Sequence, residues 1–228
     1  QQIIVLDNTA PVITCPADIT LDCSADLPSP DPDAIISIVN CDGPTIISFI
    51  MDVTINQTCE NNYTIARTYQ AVDACGNTST CIQQIIFSDT EAPSITCPEN
   101  ITVECSSQVP PPDIDGVTAT DDCGGSVTIT FSGDIIINQT CENSYTILRT
   151  YLAIDACGNS STCSQSITVI DSTGPTITCP VDITVACTSL IPLPNEAGII
   201  TSDNCGGVPS ASILADVTIN QTCENSYT

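Results

Sequence analysis

The sequence predicts an all-β protein made of tandem, disulfide-rich antiparallel sandwiches, and three observations predict it. The apolar residues are mostly Ile and Val mixed with many Thr, and β-branched side chains suit a pleated surface better than a helix. Sixteen prolines and eleven glycines punctuate the chain at short intervals. The cysteines recur with a fixed period. Cys15, Cys23, Cys41, Cys59, Cys75 and Cys81 return 82 residues later as Cys97, Cys105, Cys123, Cys141, Cys157 and Cys163, and Cys179, Cys187, Cys205 and Cys223 begin a third set.

Other segments keep the same period. "INQTCENNYT" at 55–64 returns as "INQTCENSYT" at 137–146 and at 219–228, and "QQIIVLDNTAP" at 1 aligns with "QQIIFSDTEAP" at 83. This divides the chain into residues 1–8, the last strand of a preceding repeat, then repeats 9–90 and 91–172, and a truncated repeat 173–228. Fixed self-similarity of this kind is the mark of a repeat architecture. The expectation is a window cut from a longer array. The alternative is a chain with real ends, in which residues 1–6 complete the last repeat of a neighbouring molecule by strand addition.

Within the first repeat the elements follow in order. "VITC" (12–15) is a short alternating run ended by Pro16, and "DITLDC" (18–23) is a second. "AIISIVN" (34–40) follows a turn rich in Pro and Asp. "PTIISFI" (44–50) and "DVTINQTC" (52–59) follow the turn "CDG". "NYTIARTYQAVD" (62–73) is the longest alternating run, and "ACGN" turns it into "STCIQQIIFS" (79–88). Short strands at regular spacing with no helical period read as a sandwich. A unit this small buries little surface, and disulfides commonly compensate.

Charge and cysteine content narrow the function. With 27 acidic side chains, two arginines, no lysine and no histidine, the formal charge is −25. That excludes a nucleic-acid surface and argues against anionic membranes, both of which need basic patches. Cations are the favoured partners. Sixteen cysteines in 228 residues point to disulfides in an oxidising compartment, extracellular or at the cell surface. Zinc sites use short C-x₂-C pairs, often with histidine, and neither occurs here. No segment carries the apolar run of a membrane span.

The elements "APVITCPADIT", "NC-G", "TYQAVDACGNTSTC" and "DTEAP" together resemble the hyalin-repeat (HYR) pattern, in versions with six cysteines known from bacterial surface proteins and adhesins. The resemblance covers every repeat. It implies an immunoglobulin-like sandwich in an extracellular protein with an adhesive or architectural role. The departure is four additional cysteines per repeat. In the HYR pattern Cys15 and Cys81 are the expected pair, since the first and last strands run parallel and adjacent. The pole-by-pole placement of loops in such a sandwich suggests Cys41–Cys75 and Cys23–Cys59 for the rest. The same logic gives Cys97–Cys163, Cys123–Cys157, Cys105–Cys141 and Cys187–Cys223 in later repeats. Six cysteines allow fifteen arrangements, so these remain topological expectations.

Cation binding is the leading chemical hypothesis. Asp7, Asp89 and Asp171 occupy a D-x-x-[AG]-P motif between repeats. Asp73 and Asn77, with Asp155 and Asn159, flank the "ACGN" hairpin at the near pole. Asn40, Asp42, the pair Asp121–Asp122 and the pair Asp203–Asn204 lie in the loop beside it. Hard oxygen ligands converging from a linker and two loops suit Ca²⁺. The alternative is that aspartate favours turns through its own hydrogen bonds. The first repeat has Val39 where the others have Asp121 and Asp203, so its site is expected to be weaker.

Arg67 and Arg149 stand on the apolar face of their strand by alternation. Each needs a carboxylate partner, from Asp52 or Glu60 and from Asp134 or Glu142 respectively. Asn56, Asn138 and Asn220 head a glycosylation sequon in every repeat, with Val53 and Ile55 expected to face inward and Asn56 outward. Catalysis finds no footing. There is no His or Lys, no cysteine expected to be free, and a carboxylate acid–base pair would need a cleft that splits its pKa values.

The reading from sequence is a structural or adhesive, non-enzymatic filament, stalk or adhesin shaft, whose partners are neighbouring repeats of the same chain or fibre. The alternatives are a repeat module binding a glycan or protein, and a head-to-tail fibre subunit completed by strand donation. Aromatic residues amount to 4% with no tryptophan, which speaks against an aromatic binding patch.

Overall fold

Pro16 separates two short strands that join different sheets. The structure, a computed structural model, describes residues 1–217 and 219. Strand β1 (Val12–Thr14) ends before the proline, and β2 (Ile19–Asp22) begins after it. β1 pairs antiparallel with β3 (Ile36–Ile38), with Val12 opposite Ile38. The long strands are β4 (Ile46–Cys59), β5 (Asn62–Val72) and β6 (Thr78–Ser88). β2 runs parallel to β6, with Ile19 opposite Ile85. The four-stranded sheet has the order β2-β6-β5-β4. The parallel pairing is thus made by the second short run, while the first serves the other layer.

The two runs read as separate strands at 44–50 and 52–59 are one strand. β4 passes from one to the other through a bulge, its register against β5 slipping between Phe49 and Met51. A bulge adds one residue and bends the strand without ending it, and alternation alone does not distinguish that from a turn.

Alternation on β5 buries Ile65, Arg67, Tyr69 and Ala71. With Ile85 and Phe87 of β6, Ile65 forms the centre of the core, joined by Ile19, Leu21 and Tyr63. The Tyr63 and Phe87 rings stack with centroids 5.0 Å apart. The Tyr69 hydroxyl accepts the Asp31 N–H at 3.1 Å, tying the proline-rich loop down over this core. Val53 and Ile55 do not face inward as expected: both are exposed. They lie on the edge strand, and the opposing layer is two strands of three residues each. Three residues span only about 10 Å, too little to cover a strand of 14 residues.

The chain divides into two compact units. The first comprises Gln1–Pro98, Pro112–Gly133 and Thr150–Ser164; the second comprises Glu99–Pro111, Asp134–Arg149 and the described residues from Gln165 on. Beyond the sheets of the first repeat, the first unit holds the pair β7 (Ser94–Thr96) and β9 (Thr118–Thr120). In the second unit β8 (Ile101–Val103) lies parallel to the last residues of β12 (Ser160–Ile170), Ile101 opposite Ile167. The strand order β10-β11-β12-β8, with β10 Thr128–Cys141 and β11 Ser144–Ile154, repeats that of the first sheet. The pair β13 (Thr176–Thr178) and β14 (Ile200–Ser202) also belongs to the second unit. Each unit therefore contains a junction between sequence repeats. Among the described residues no helix is long and apolar enough to cross a membrane.

Candidate functional site

The cysteines build the junctions. Cys15 pairs with Cys81 and Cys97 with Cys163, each within its own repeat. The other pairings differ from the topological expectation. Cys23 bonds to Cys123 instead of Cys59, with Cα atoms 5.4 Å apart. Cys59 bonds to Cys157, and Cys105 bonds to Cys205 instead of Cys141. Cys123 and Cys157 accordingly do not pair with each other, nor does Cys41 with Cys75. The physical reason is the pole at which each cysteine sits. Cys23 and Cys59 end strands at the far pole of the first repeat, where the loops nearest to them belong to the next repeat. Asn61 confirms the proximity, its side-chain amide donating to the Gly124 carbonyl at 3.4 Å. Cys41, Cys75, Cys141, Cys179 and Cys187 carry no disulfide among the described residues and are exposed. The expected Cys187–Cys223 pair lies outside them, because Cys223 is not described.

Beside the Cys23–Cys123 bridge lies a cluster of carboxylates, all within the first unit. Asp89, from the linker, is 5% exposed. Carboxylate oxygens of Asp89 and Asp121 approach within 4.8 Å of each other and of the Cys123 sulfur. Asp121 uses Oδ1 to accept the Cys123 N–H at 3.0 Å, a local turn contact. Its Oδ2 and the Oδ2 of Asp89 are buried and have no hydrogen-bond partner. A buried, unpartnered carboxylate oxygen is costly. Burial, and then the charges of Asp121, Asp155 and Asp122, push the Asp89 carboxyl above its ordinary range. A cavity of about 280 Å³ opens alongside, lined by Glu91, Ser94, Thr120, Asp121 and Asp122.

Asp155 and Asn159 support this cluster from behind. Asp155 Oδ1 accepts the N–H groups of Cys157, Gly158 and Asn159, and its Oδ2 accepts the Asn159 amide at 2.9 Å. That amide also donates to Asp89 Oδ1 at 3.2 Å. Burial acts to raise the Asp155 carboxyl, but these hydrogen bonds outweigh it and hold the group below its ordinary value.

A family model for an HYR-like domain with 4 cysteines matches residues 93–169. The likeness covers about a third of the chain. The matched stretch carries six cysteines in this chain; Cys105, Cys123 and Cys157 bond to other repeats. No curated protein matches the sequence. Among solved structures, the chain aligns with the protocadherin GammaB4 extracellular domain at 14% identity and a TM-score of 0.34, over 76% of this chain and 36% of that one. It aligns with protocadherin Gamma B2 extracellular cadherin domains 3-6 at 15% identity and a TM-score of 0.31, over 75% of this chain and 54% of that one. The chain thus spans less than two thirds of either.

The other two junctions vary the theme. In the second unit Asp171 and Asp203 lie within 4.8 Å of each other beside Cys205, and Asn204 donates to Glu104 Oε2 at 3.2 Å. At the start of the first unit, Asp7 has no second carboxylate facing it from the position of Asp121, which is Val39. Asp7 Oδ1 instead accepts the Thr9 N–H at 3.0 Å and the Asn40 amide at 3.2 Å, and these two contacts hold its carboxyl below the usual range. Asp73 is lowered by its bonds from Asn77 and the hairpin N–H groups, and Asp42 is exposed. Glu91 and Glu104 escaped sequence reasoning, because their equivalents in the repeat are Thr9 and Thr173, and Asp22 and Ala186.

Outside the junctions, Arg67 is 2% exposed and makes a two-pronged pair with Asp52, Nε to Oδ1 at 2.9 Å and Nη2 to Oδ2 at 2.8 Å. Arg149 pairs likewise with Asp134 and also donates to the Pro110 carbonyl. Glu60 is exposed and lies instead beside Gly125, whose φ is +85°; Glu142 is exposed as well. Asn56 and Asn138 are exposed and adopt φ of 53° and 55°. Asn220 lies outside the described residues.

Proposed function

We propose that the chain is a stretch of a stiff extracellular shaft, with repeats at 9–90, 91–172 and 173–228, residues 1–8 acting as the last strand of a preceding repeat. Its working parts are the junctions. The observation that carries the reading is the pair of bridges Cys23–Cys123 and Cys59–Cys157, which fasten two points of one repeat to two points of the next. A single tether leaves a swivel, whereas two remove most of the bending freedom.

The second support is the carboxylate cluster. Oxygens of Asp89 and Asp121 within 4.8 Å of each other suit a shared Ca²⁺, whose ligand distances of about 2.3–2.6 Å put opposed oxygens up to roughly 5 Å apart. The two unpartnered Oδ2 atoms are the test of fit, and the donor set passes it as hard oxygen, the Cys123 sulfur being engaged in a disulfide. Asp89 and Asp121 would hold the ion, with Asp122 and Glu91 at the cavity and Asp171 and Asp203 as the counterparts at the following junction. The bound ion supplies positive charge that relieves the repulsion among these carboxylates. The protein is non-enzymatic on this reading, and the chain carries adhesion by reach.

Electron microscopy of the native material tests the proposal. Straight rods that become flexible on treatment with EDTA, and more so with reductant, support it. Collapsed or freely jointed particles in calcium, with disulfides intact, overturn it.

A further inference from the structure

Cys41 and Cys75 carry no disulfide among the described residues, yet their counterparts one period later do. Adding the 82-residue period to each gives Cys123 and Cys157, and both of these receive bonds from the preceding repeat, from Cys23 and Cys59. The loops that carry them have the same build. Asp73 Oδ1 accepts the N–H groups of Cys75 and Asn77, as Asp155 Oδ1 does for Cys157 and Asn159. Gly76 and Gly158 both turn through positive φ, 88° and 95°. The Cys41 and Cys75 loops also lie close, since a Cβ added at Gly43 would meet the Cβ of Ala74 at 3.0 Å. Both thiols are exposed, side by side at one pole, and not bonded to each other. Exposed thiols do not persist where the other cysteines of the chain are oxidised.

We infer that Cys41 and Cys75 are the receiving ends of two disulfides from a further HYR-like repeat. Cys41 takes the cysteine that corresponds to Cys23, and Cys75 the one that corresponds to Cys59. Each bond forms from two thiols, which lose two protons and two electrons to a disulfide oxidant whose own S–S bond is reduced to two thiols. The donor repeat stands earlier on the same polypeptide or on a second chain. The inference deepens the shaft reading by naming the partner of the near pole.

The test is disulfide mapping of the native full-length chain. Free thiols are alkylated, the protein is digested with pepsin in acid to suppress exchange, and the peptides are sequenced by mass spectrometry. The inference expects the Cys41 peptide linked to one of the form [DN]-I-T-x-x-C, and the Cys75 peptide linked to N-Q-T-C-E-N. Alkylated Cys41 and Cys75, or a peptide joining the two, overturns it. Gel mobility with and without reductant then assigns the source: a fall in apparent mass on reduction marks a second chain, and an unchanged mass marks the same one. The outcome is separable from the microscopy. Straight rods with alkylated Cys41 and Cys75 would sink this inference and leave the shaft standing. Mapped bonds in freely jointed particles would do the reverse.

Discussion

Cys23 is bonded to Cys123, one hundred residues further along the chain and in the next repeat. The bond turns the boundary between repeats, usually the weakest place in an array, into a cross-linked one. Cys59–Cys157, spanning 98 residues, acts at the same junction. A loop of that size constrains the unfolded chain by about 4–5 kcal/mol when counted singly, and nested loops do not add.

The first prediction follows from this pairing. Cys157→Ser liberates the thiol of Cys59, in the preceding repeat, and leaves Cys75 and Cys123 as they are in the parent chain. Alkylation and peptide mapping of the variant read this directly. Protection of Cys59 in the variant would return the pairing to one inside the repeat. Thermal unfolding of the double variant Cys59→Ser/Cys157→Ser is expected to show a loss of a few kcal/mol.

The second concerns Asp89 and pH. Its carboxyl is raised above the ordinary 3.8 by burial and by Asp121, Asp155 and Asp122. The folded state therefore binds the proton more tightly than the unfolded state does. In metal-free buffer, stability falls as pH rises from about the ordinary value through the raised one, and it stays lower above it. Asp155, held low by its hydrogen bonds, acts oppositely, contributing stability above the ordinary value that is lost as pH falls through its folded one. In EDTA at pH 7, Asp89→Asn is expected to raise the melting temperature and to weaken the response to added Ca²⁺, and Asp89→Asn/Asp171→Asn to remove it. Asp7→Asn should change neither calcium response nor melting temperature comparably, because Asp7 already has Thr9 and Asn40 as donors. An Asp89→Asn chain whose melting temperature responds to calcium as strongly as the parent's would exclude Asp89 from the site.

Much of this architecture is legible in the sequence, for reasons that can be named. The period of the cysteines, the alternation along Tyr63 to Ala71 and the turns after Cys41 and Cys75 are local patterns, and local patterns determine strands. They also place Arg67 on the buried face, where it is found. Disulfide partners are a different matter. Cys23 and Cys59 both precede turns at one pole, and a single repeat considered alone offers each only the other. Which neighbouring loop rises to meet them depends on how one repeat seats on the next, and no periodicity encodes that. The bulge at Ile50 was hidden for a similar reason, since a slipped register and a turn interrupt alternation alike. In the same way, the burial of Asp89 arises from the loops around it and not from its own motif.

The third prediction isolates the buried ion pair. Arg67 is almost wholly enclosed, while Asp52 retains some exposure. Removing one partner of such a pair strands the other, at a cost of about 3–5 kcal/mol. Asp52→Ala is therefore expected to be strongly destabilising. The double change Arg67→Met/Asp52→Leu should recover most of that loss, because an apolar pair of similar volume carries no desolvation penalty. Calorimetry with the disulfides intact compares the two. A single variant as stable as the parent would mean that the pair does not pin β4 to β5.

The fourth separates backbone from sugar at Asn56. The residue sits in the left-handed region, φ 53°, and Asn138 repeats the conformation at 55°. Asparagine tolerates that region better than other residues with a Cβ, and a β-branched side chain does not. The recurrence of Asn in "INQT" thus has a conformational cause independent of glycosylation. Asn56→Gly should leave stability nearly unchanged, and Asn56→Val should cost about 1–2 kcal/mol. Thr58→Val destroys the sequon but leaves Asn56 in place, so it should be close to neutral in an unglycosylated host. In a glycosylating host the same variant reports occupancy through its mass alone. If Asn56→Val proved as stable as the parent while Thr58→Val lost both a glycan and stability, the sugar and not the backbone would account for the asparagine.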